Sequence, residues 1–413
     1  MSSRFNFDVA VVGGGIAGVT LTIGLLRAGV PVGYEAAHAF GEIGAGLAFG
    51  PNAARAMSML SPEVVAGFER VSTSNQCDSK KSVWFDFRRG MGPASNPQAG
   101  QGELIHTLHM PPGGGSVHRA HFLDELVKLL PNGIAHLGKL RRSTSAVVGS
   151  DGIKSRTRRI VLGEDNPAAR ARFSGKYAYR GLIPMQQAVD LLGDELARNS
   201  QMYFGHHGHV LTFPIEHGTT MNVVAFASKP EWQDNRWVVP STKEELQHDF
   251  DGWSQHVKSI LSLVQRTDIW ALFEHPPAAR YTRDHICLIG DAAHATTPHQ
   301  GAGAGMAVED AWLLSTLVGE LASTSDDLQA VFNAFERVRI DRTQRLVRTS
   351  NEAGRLYDFE LDGVADDSAK IKECLKTRMQ WIWEEDLEHE LATAKEVFLA
   401  ERDGLRTYSA SFV

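Results

Sequence analysis

The residues whose spacing most clearly predicts chemistry are three glycines near the amino terminus. Gly13, Gly15 and Gly18 occupy the glycine positions of a G-x-G-x-x-G motif. The first permits a tight turn, the second lets the backbone approach a pyrophosphate, and the third lets a helix pack closely on a strand. The free N–H groups and positive dipole end at a helix start also favour phosphate. The motif therefore predicts a dinucleotide site.

The elements on either side of this motif would hold it in place. Residues 8–12 have the pattern of a buried strand, an apolar helix pattern follows, and a second strand ends at Glu35, 17 residues after Gly18. An acid near this distance commonly hydrogen bonds the ribose hydroxyls of a dinucleotide. The alternative is a βαβ unit whose glycine-rich turn binds nothing.

A second acid follows another apolar strand much later in the chain. Residues 286–289 are apolar, Asp291 comes directly after Gly290, and residues 301–305 are rich in glycine. The Asp291 carboxylate could accept hydrogen bonds from polyol hydroxyls. The N–H groups of residues 301–305, at a helix start, could stabilise negative charge on a ligand. A helix N-cap is the alternative role for Asp291.

Three motifs in this order resemble the single-component (class A) FAD-dependent aromatic hydroxylases of the para-hydroxybenzoate hydroxylase type. They are the amino-terminal glycine motif, an Asp-Gly segment at 149–156, and the Gly-Asp pair at 290–291. Within that family the chain is most similar to salicylate hydroxylase and its fungal relatives. The segments that carry this similarity are 40–46, 83–90, 178–181, 208–214 and 298–305.

The resemblance implies an α/β fold in which a Rossmann-like FAD-binding domain contains an inserted antiparallel-sheet substrate domain, followed by C-terminal helices. Alternating segments at 177–183, 201–204, 209–214 and 221–227 favour such a sheet. We expect the FAD-binding domain to comprise residues 1–75, 115–175 and 280–350, the substrate-binding domain residues 76–114 and 176–279, and the C-terminal helical region residues 351–413.

The resemblance also implies the chemistry. FAD would be bound tightly but non-covalently, and NADH or NADPH would be a transient co-substrate, since the chain has a single dinucleotide motif. O₂ would form a C4a-hydroperoxyflavin, whose distal oxygen attacks an electron-rich carbon of a phenolic acid. With a salicylate-like substrate, CO₂ would leave and a catechol would remain. A tailoring hydroxylase acting on a polyketide-derived phenol and an inactive truncated homologue are the alternatives.

We expect site residues of two kinds: the predicted catalytic residues are Arg180, Phe213, His299 and Pro298, and the others bind FAD. Arg180 would favour the phenolate form of the substrate, with a surface ion pair as its alternative role. Phe213 occupies a place where dearomatising fungal relatives have a tyrosine, or is an apolar core residue. His299, after Pro298, would help ionise the phenol or shape the pocket, or would be a loop histidine bonded to backbone. The predicted FAD-binding residues are Gly13, Gly15, Gly18, Glu35, Gly46, Ala48, Arg119, Asp151, Asp291, Gly301, Gly303 and Ala304.

Composition limits the partners. A net charge of −7, from 42 basic and 49 acidic residues, argues against a nucleic-acid or anionic membrane surface. The three cysteines are far apart and predict a reducing compartment. No apolar run is long enough to span a membrane. His206, His207 and His209 lack a completing cysteine or acid, so no metal is expected. We expect a cytoplasmic enzyme with a small aromatic substrate, which could assemble as a homodimer.

One segment is shorter than the resemblance implies. Seven residues separate Lys139 from Val147, where members of the family have a few tens that form a β-meander. We therefore expect the strand at 146–148 to lose its usual partners. The chain could be a shortened gene model or splice variant, with folding and activity in question, which is the interpretation we favour. Alternatively, the trimmed sheet edge could be tolerated because sheet edges lie far from the flavin.

Overall fold

The computed structural model describes residues 4–36, 46–93, 95–137 and 144–410, which form an α/β fold of two large sheets and a set of helices. The strands are β1 Val9–Val12, β2 Val32–Ala36, β3 Gly46–Phe49, β4 Val83–Arg89, β5 Leu104–His109, β6 Gly115–His118, β7 Ala135–Leu137, β8 Ala146–Gly149, β9 Arg172–Pro184, β10 Gln201–Gly205, β11 Gly208–Ile215, β12 Thr220–Ser228, β13 Val238–Val239, β14 Ile269–Glu274, β15 Thr282–Arg283 and β16 Ile286–Leu288.

The helices lie between these strands and after them. They are α1 Ile16–Arg27, α2 Pro51–Leu60, α3 Pro62–Val71, α4 Arg119–Val127, α5 Arg156–Leu162, α6 Met185–Leu192, α7 Asp194–Ala197, α8 Lys243–Asp249, α9 Gln255–Ser262, α10 Asp291–His294, α11 Gly303–Leu321, α12 Ser325–Tyr357, α13 Ser368–Thr377, α14 Gln380–Trp383 and α15 Leu387–Ala410.

The first sheet has the strand order β15-β16-β8-β1-β2-β7 and is parallel except for the β15–β16 pair. Because parallel strands end at the same edge, the turns after β1, β8 and β16 lie side by side. Val9 and Val11 of β1 are buried with Val19 of α1 and Leu313 of α11. This sheet confirms the predicted Rossmann-like unit and brings three distant motifs to one edge.

Strand β8 is fully paired, contrary to the expectation from the short segment before it. Val148 pairs with Val11 of β1 on one side and with Cys287 of β16 on the other, both in parallel register. The expectation of lost partners was wrong because both partners come from parts of the chain far from the shortened segment. Four of the seven residues of that segment, 140–143, lie outside the described residues.

The second sheet has the order β13-β14-β9-β12-β11-β10-β4-β5 and contains the predicted substrate-domain strands. It is not purely antiparallel as predicted, because β4 and β10 pair in parallel. The two strands belong to segments separated by a long excursion through the first sheet, so their direction is not constrained by a hairpin. Alternate residues bury on opposite faces: Val210 packs with Phe250 and Val257, whereas Leu211 packs with Leu346 of α12.

Two short helices, α8 and α9, follow one another between β13 and β14. Gly252, with φ of +81°, lies in the turn between them, and the Ser254 hydroxyl accepts a hydrogen bond from the backbone N–H of Val257 to cap α9. A left-handed glycine and a new N-cap explain why the helix does not continue. Across the described residues, none of the helices combines the length and apolar character that crossing a bilayer requires.

Candidate functional site

The glycine turn between β1 and α1 lies directly against the loop after β8. Gly13 has φ of +124°, and a Cβ at this position would lie 2.2 Å from the carbonyl oxygen of Ser150. A Cβ on Gly18 would lie 2.1 Å from the carbonyl oxygen of Gly13, whereas a Cβ on Gly15 would meet no neighbouring atom of the described chain within 4 Å. Close backbone packing thus requires Gly13 and Gly18, while Gly15 leaves open space before the α1 N-terminus.

Asp291 stands at the end of the neighbouring strand with its carboxylate uncommitted. It is the first residue of α10, and Gly290, with φ of +57°, is the N-cap. The Gly290 N–H donates to the Asp310 carboxylate at 2.9 Å. Within the described ranges the Asp291 carboxylate has no hydrogen-bond partner, and the side chain is exposed. It is therefore not the N-cap that the alternative role required, and it can accept hydrogen bonds from a ligand.

The glycine turn and Asp291 form two sides of a cavity, and the segment that leads into α11 forms a third. A short 3-10 helix spans Pro298–Gln300, Gly301 follows with φ of +63°, and α11 begins at Gly303. A Cβ on Gly301 would lie 3.8 Å from the Ala48 Cβ. Because the first N–H groups of a helix have no partner within it, the start of α11 offers hydrogen-bond donors at this wall.

Asp151, Arg119 and Glu35 were also predicted to bind the cofactor, and each has a different structural environment. The Asp151 carboxylate accepts hydrogen bonds from the backbone N–H groups of Arg156 (2.8 Å) and Thr157 (3.1 Å), and so holds the start of α5. Arg119 is the first residue of α4. Glu35 belongs to β2 through its backbone pairing with Val12, but its side chain lies outside the described part of the structure.

These walls enclose one cavity of about 1100 Å³. Small-molecule sites commonly have volumes of about 300–1000 Å³, so this cavity has room for a large ligand beside a smaller one. Gly18 does not line it. The predicted residues that do are Gly13, Gly15, Gly46, Ala48, Arg119, Asp151, Arg180, Phe213, Asp291, Pro298, His299, Gly301, Gly303 and Ala304.

Arg180 projects from β9 into this cavity. Its guanidinium carbon lies 4.9 Å from the centre of the Trp270 ring, and it forms no ion pair with the described acids. Burial, followed by the nearby Arg119, lowers the pKa of Arg180 to about 10, so the side chain still carries its charge at neutral pH. The structure thus shows an uncompensated cation in the cavity rather than the surface ion pair that was its alternative role.

Phe213 closes the gap between the two sheets. It is buried, its ring meets Phe85 edge-on at 6.4 Å, and a Cβ on Gly46 would lie 2.6 Å from Phe213 Cε2. The Gly46 N–H also donates to the Asn222 side chain at 3.0 Å. Strand β3 is thereby held against β11 and β12, and Phe213 forms an apolar part of the cavity wall.

His299 is 3% exposed and takes part in a buried hydrogen-bond chain rather than bonding to backbone. Its Nδ1 lies 3.3 Å from His209 Nε2, and His209 Nδ1 lies 2.6 Å from the carboxylate of Asp358, which also pairs with Lys176. Burial, followed by His209 and Lys176, holds the pKa of His299 well below its usual value. Since Nε2 is buried beside Gly354, this geometry favours the pocket-shaping role over proton transfer.

Two polar lining residues were not singled out from the sequence. Tyr357, at the end of α12, and Arg378, between α13 and α14, both line the cavity. They lie in the C-terminal helical region, where no motif or spacing connects them with the glycine segments. Arg378 is an isolated arginine, followed by Met379 in a helical pattern. From the sequence alone, such an arginine could equally contact a ligand or lie on a solvated helix face.

The three histidines named in the sequence each lie near a different acid. His209 is buried against Asp358, whereas the exposed His207 pairs with Glu360 at 3.0 Å and His206 lies near Asp366. Among the described residues, a different group could hold a metal ion: ligand atoms of His118, His121 and Glu216 lie within 4.8 Å of one another. These three residues do not line the cavity.

Comparisons with known sequences give relatives that match along most of this chain. The family profile described as "FAD binding domain" matches residues 143–350. The chain is 40% identical to the 6-methylsalicylate 1-monooxygenase of Aspergillus terreus, over 96% of this chain and 94% of that protein. It is 36% identical to a salicylate hydroxylase of Pseudomonas putida, over 95% of this chain and 96% of that protein. The first alignment extends over 425 positions, more than the 413 residues here, so it contains gaps in this chain.

Comparison with solved structures gives the same result for the fold. A salicylate hydroxylase in complex with its substrate superposes with a TM-score of 0.84 at 35% identity, covering 95% of this chain and 98% of that one. The two sheets and the helices around them therefore have the fold of that salicylate hydroxylase.

Proposed function

This chain belongs to the FAD-dependent monooxygenases that include salicylate hydroxylase, and from that membership we propose that it hydroxylates a salicylate-like phenolic acid. The carboxylate would leave as CO₂ and the product would be a catechol. One oxygen atom of O₂ would enter the ring and the other would leave as water, with NADH or NADPH supplying two electrons. The chain is an FAD-dependent enzyme; the substrate, the loss of CO₂ and O₂ as the oxidant are parts of the proposal.

The single observation that carries this proposal is the continuity of the cavity. It runs from the glycine turn at Gly15 to the apolar face of the second sheet, where Arg180, Leu211 and Phe213 line it. One chamber could therefore hold a dinucleotide and bring its ring system beside a small aromatic acid. Separate pockets would not allow direct transfer of an oxygen atom.

The residues present fit FAD. The space in front of Gly15 and the α1 N-terminus could take the pyrophosphate. The uncommitted Asp291 carboxylate could accept hydrogen bonds from the polyol chain, and the donors at the start of α11 could face the flavin ring. The bound flavin would supply the redox chemistry. A helix N-terminus beside the ring would favour the negative charge that flavin gains on reduction.

Arg180 would prepare the substrate for attack by an electrophilic oxygen. A guanidinium near the phenolic oxygen stabilises the phenolate, which is more electron-rich than the phenol. Phe213, Leu211 and Phe226 would exclude water from this end of the cavity. The His209–His299 chain would hold the segment around Pro298 in position against the flavin.

The domain limits, the cellular location and the oligomeric state are separate predictions. We propose the domain limits stated above, because β9 to β14 all belong to the second sheet and β15 and β16 to the first. A cytoplasmic location and a homodimer stay predictions. The cavity volume of about 1100 Å³ keeps a larger polyketide-derived phenol as a second candidate substrate.

The test is turnover with defined substrates. Purified protein loaded with FAD is mixed with NADH or NADPH, and nicotinamide oxidation is followed with and without salicylate and 6-methylsalicylate. We expect one of these acids to stimulate oxidation and to yield CO₂ and a catechol in equal amounts. Nicotinamide oxidation with hydrogen peroxide as the sole product for both acids would reject the proposed substrates. Failure to bind FAD would show that the shortened chain is inactive.

A further inference from the structure

Arg378 places a positive charge in the cavity, on the helical wall, and no acid of the described residues pairs with it. Its Nη1 donates to the backbone carbonyl of Thr349 at 3.2 Å, while its Nε is buried without a hydrogen-bond partner. None of the described acids lies within ion-pairing distance of it. Arg378 as a whole is half-buried, but a buried donor such as its Nε that has no acceptor costs free energy, so this arrangement favours an anionic ligand at the same place.

Tyr357 supplies a hydroxyl group beside this charge. The residue is 3% exposed, and its ring stacks on Phe204 at a centroid distance of 4.7 Å. Burial raises the pKa of Tyr357 to about 12, while the nearby Arg378 acts in the opposite direction. The hydroxyl therefore keeps its proton and remains a donor. The described residues give it no partner, and the side chain lines the cavity.

This pair lies near the predicted flavin wall and in apolar surroundings. The hydroxyl of Thr349, whose carbonyl accepts from Arg378, donates to the Gln300 side chain at 2.8 Å, and Gln300 immediately precedes Gly301. Leu375 and Met379 line the cavity on the same wall. A flat apolar ring could thus be held between the sheet and these helices, with an anionic substituent directed at Arg378.

We propose that Arg378 and Tyr357 bind the carboxylate of the aromatic acid. This inference rests on the proposed function and extends it, because it separates the two charges of the substrate: Arg180 stabilises the phenolic oxygen and Arg378 the carboxylate. A guanidinium and a neutral hydroxyl both donate to a carboxylate. Since Nη1 of Arg378 is already bonded to Thr349, the grip is weaker than a free bidentate pair, which suits a carboxylate that must leave.

The experiment measures binding without turnover. FAD-loaded protein is titrated with benzoate and, separately, with phenol, which lacks the carboxylate, and the change in flavin absorbance is recorded. The variants are Arg378→Met, Arg378→Lys and Tyr357→Phe. The control is Arg345→Met, because Arg345 is exposed on α12 and stacks on Trp381.

We expect Arg378→Met to weaken benzoate binding by at least about tenfold and phenol binding by less than about threefold, as for the loss of a charge-assisted hydrogen bond. Arg378→Lys should restore part of the affinity, Tyr357→Phe should cause a smaller selective loss, and Arg345→Met should match wild type. Equal loss for both ligands, no loss, or failure of wild type to bind benzoate would overturn the inference. Selective loss in a protein that does not turn over salicylate would support the subsite and reject the proposed reaction.

Discussion

Gly13 packs directly against Ser150, which brings the glycine turn after β1 into backbone contact with the loop after β8. A Cβ at position 13 would lie 2.2 Å from the Ser150 carbonyl oxygen, and the Ser150 N–H donates to the carbonyl of Val12 at 2.8 Å. The amino-terminal turn and the middle motif, more than 130 residues apart in the chain, are therefore in direct contact. FAD binding should depend on this contact as much as on groups that touch the cofactor.

Alanine at the two glycines of this turn should have different effects. Gly13→Ala combines a positive φ with a backbone collision, so we expect a stability loss of about 2 kcal/mol or more together with loss of FAD. Gly15→Ala adds a methyl group to open space and should weaken FAD binding with little change in stability. Thermal denaturation of the FAD-free proteins and FAD titration check this. Equal destabilisation by both substitutions would contradict the prediction.

Asp291 should matter for FAD and little for folding. Because its carboxylate is exposed and has no hydrogen-bond partner among the described residues, Asp291→Ala should lower FAD affinity by about tenfold or more, as expected for lost hydrogen bonds to a charged group. The melting temperature of the FAD-free protein should stay near the wild-type value. Asp165→Ala, in an exposed loop, is the control. Unchanged FAD affinity in Asp291→Ala would remove this residue from the cofactor site.

Arg180 should control the ionisation of a bound phenol. Arg180→Met removes the guanidinium that we propose stabilises the phenolate. The pKa of a bound phenolic ligand should therefore rise towards its value in water. The absorbance of the bound ligand as a function of pH measures this directly. We expect kcat to fall by about tenfold or more while FAD affinity is retained, and Arg180→Lys to be intermediate. A bound-phenol pKa that is the same in wild type and Arg180→Met would reject this role.

The buried charge cluster around Arg339 should limit stability in acid. Arg339 pairs with Glu309, Asp310 and Glu390 across α11, α12 and α15. Burial alone would raise the pKa of Glu309 and Asp310. The charges of Arg342 and Arg339 together have a larger effect on Glu309, and those of His294 and Arg339 together have a larger effect on Asp310. Both pKa values are therefore lowered to about 2. The stability that these two groups contribute is complete above their unfolded pKa values and is lost as pH falls towards 2.

Glu390 acts in the opposite direction, because burial raises its pKa. We therefore expect the melting temperature to fall from pH 5 to pH 3. The fall should be less steep than Glu309 and Asp310, whose pKa values are lowered, would cause without Glu390. Arg339→Met should lose about 3–5 kcal/mol, as expected for breaking a buried ion pair, and Arg337→Met on the exposed face of α12 should lose little. A flat melting temperature between pH 5 and pH 3 in wild type would contradict this prediction.

Local features of this protein could be predicted from the amino-acid sequence alone. Gly13, Gly15 and Gly18 could be assigned because a tight turn, a close ligand and a packed helix each require a glycine, and the three glycines have the spacing of a known motif. The strands could be assigned because burial on one face imposes a period of two. The family followed from such motifs in order along the chain.

Only the tertiary structure decided which distant groups meet. It paired β8 with β1 and β16 despite the short segment before it, committed the Asp151 carboxylate to the start of α5, and buried His299 Nε2 beside Gly354. It also placed Arg378 and Tyr357 on the wall of the cavity. The physical reason is that these contacts join residues far apart in the chain, and their geometry is set by strand order and helix packing rather than by any local pattern.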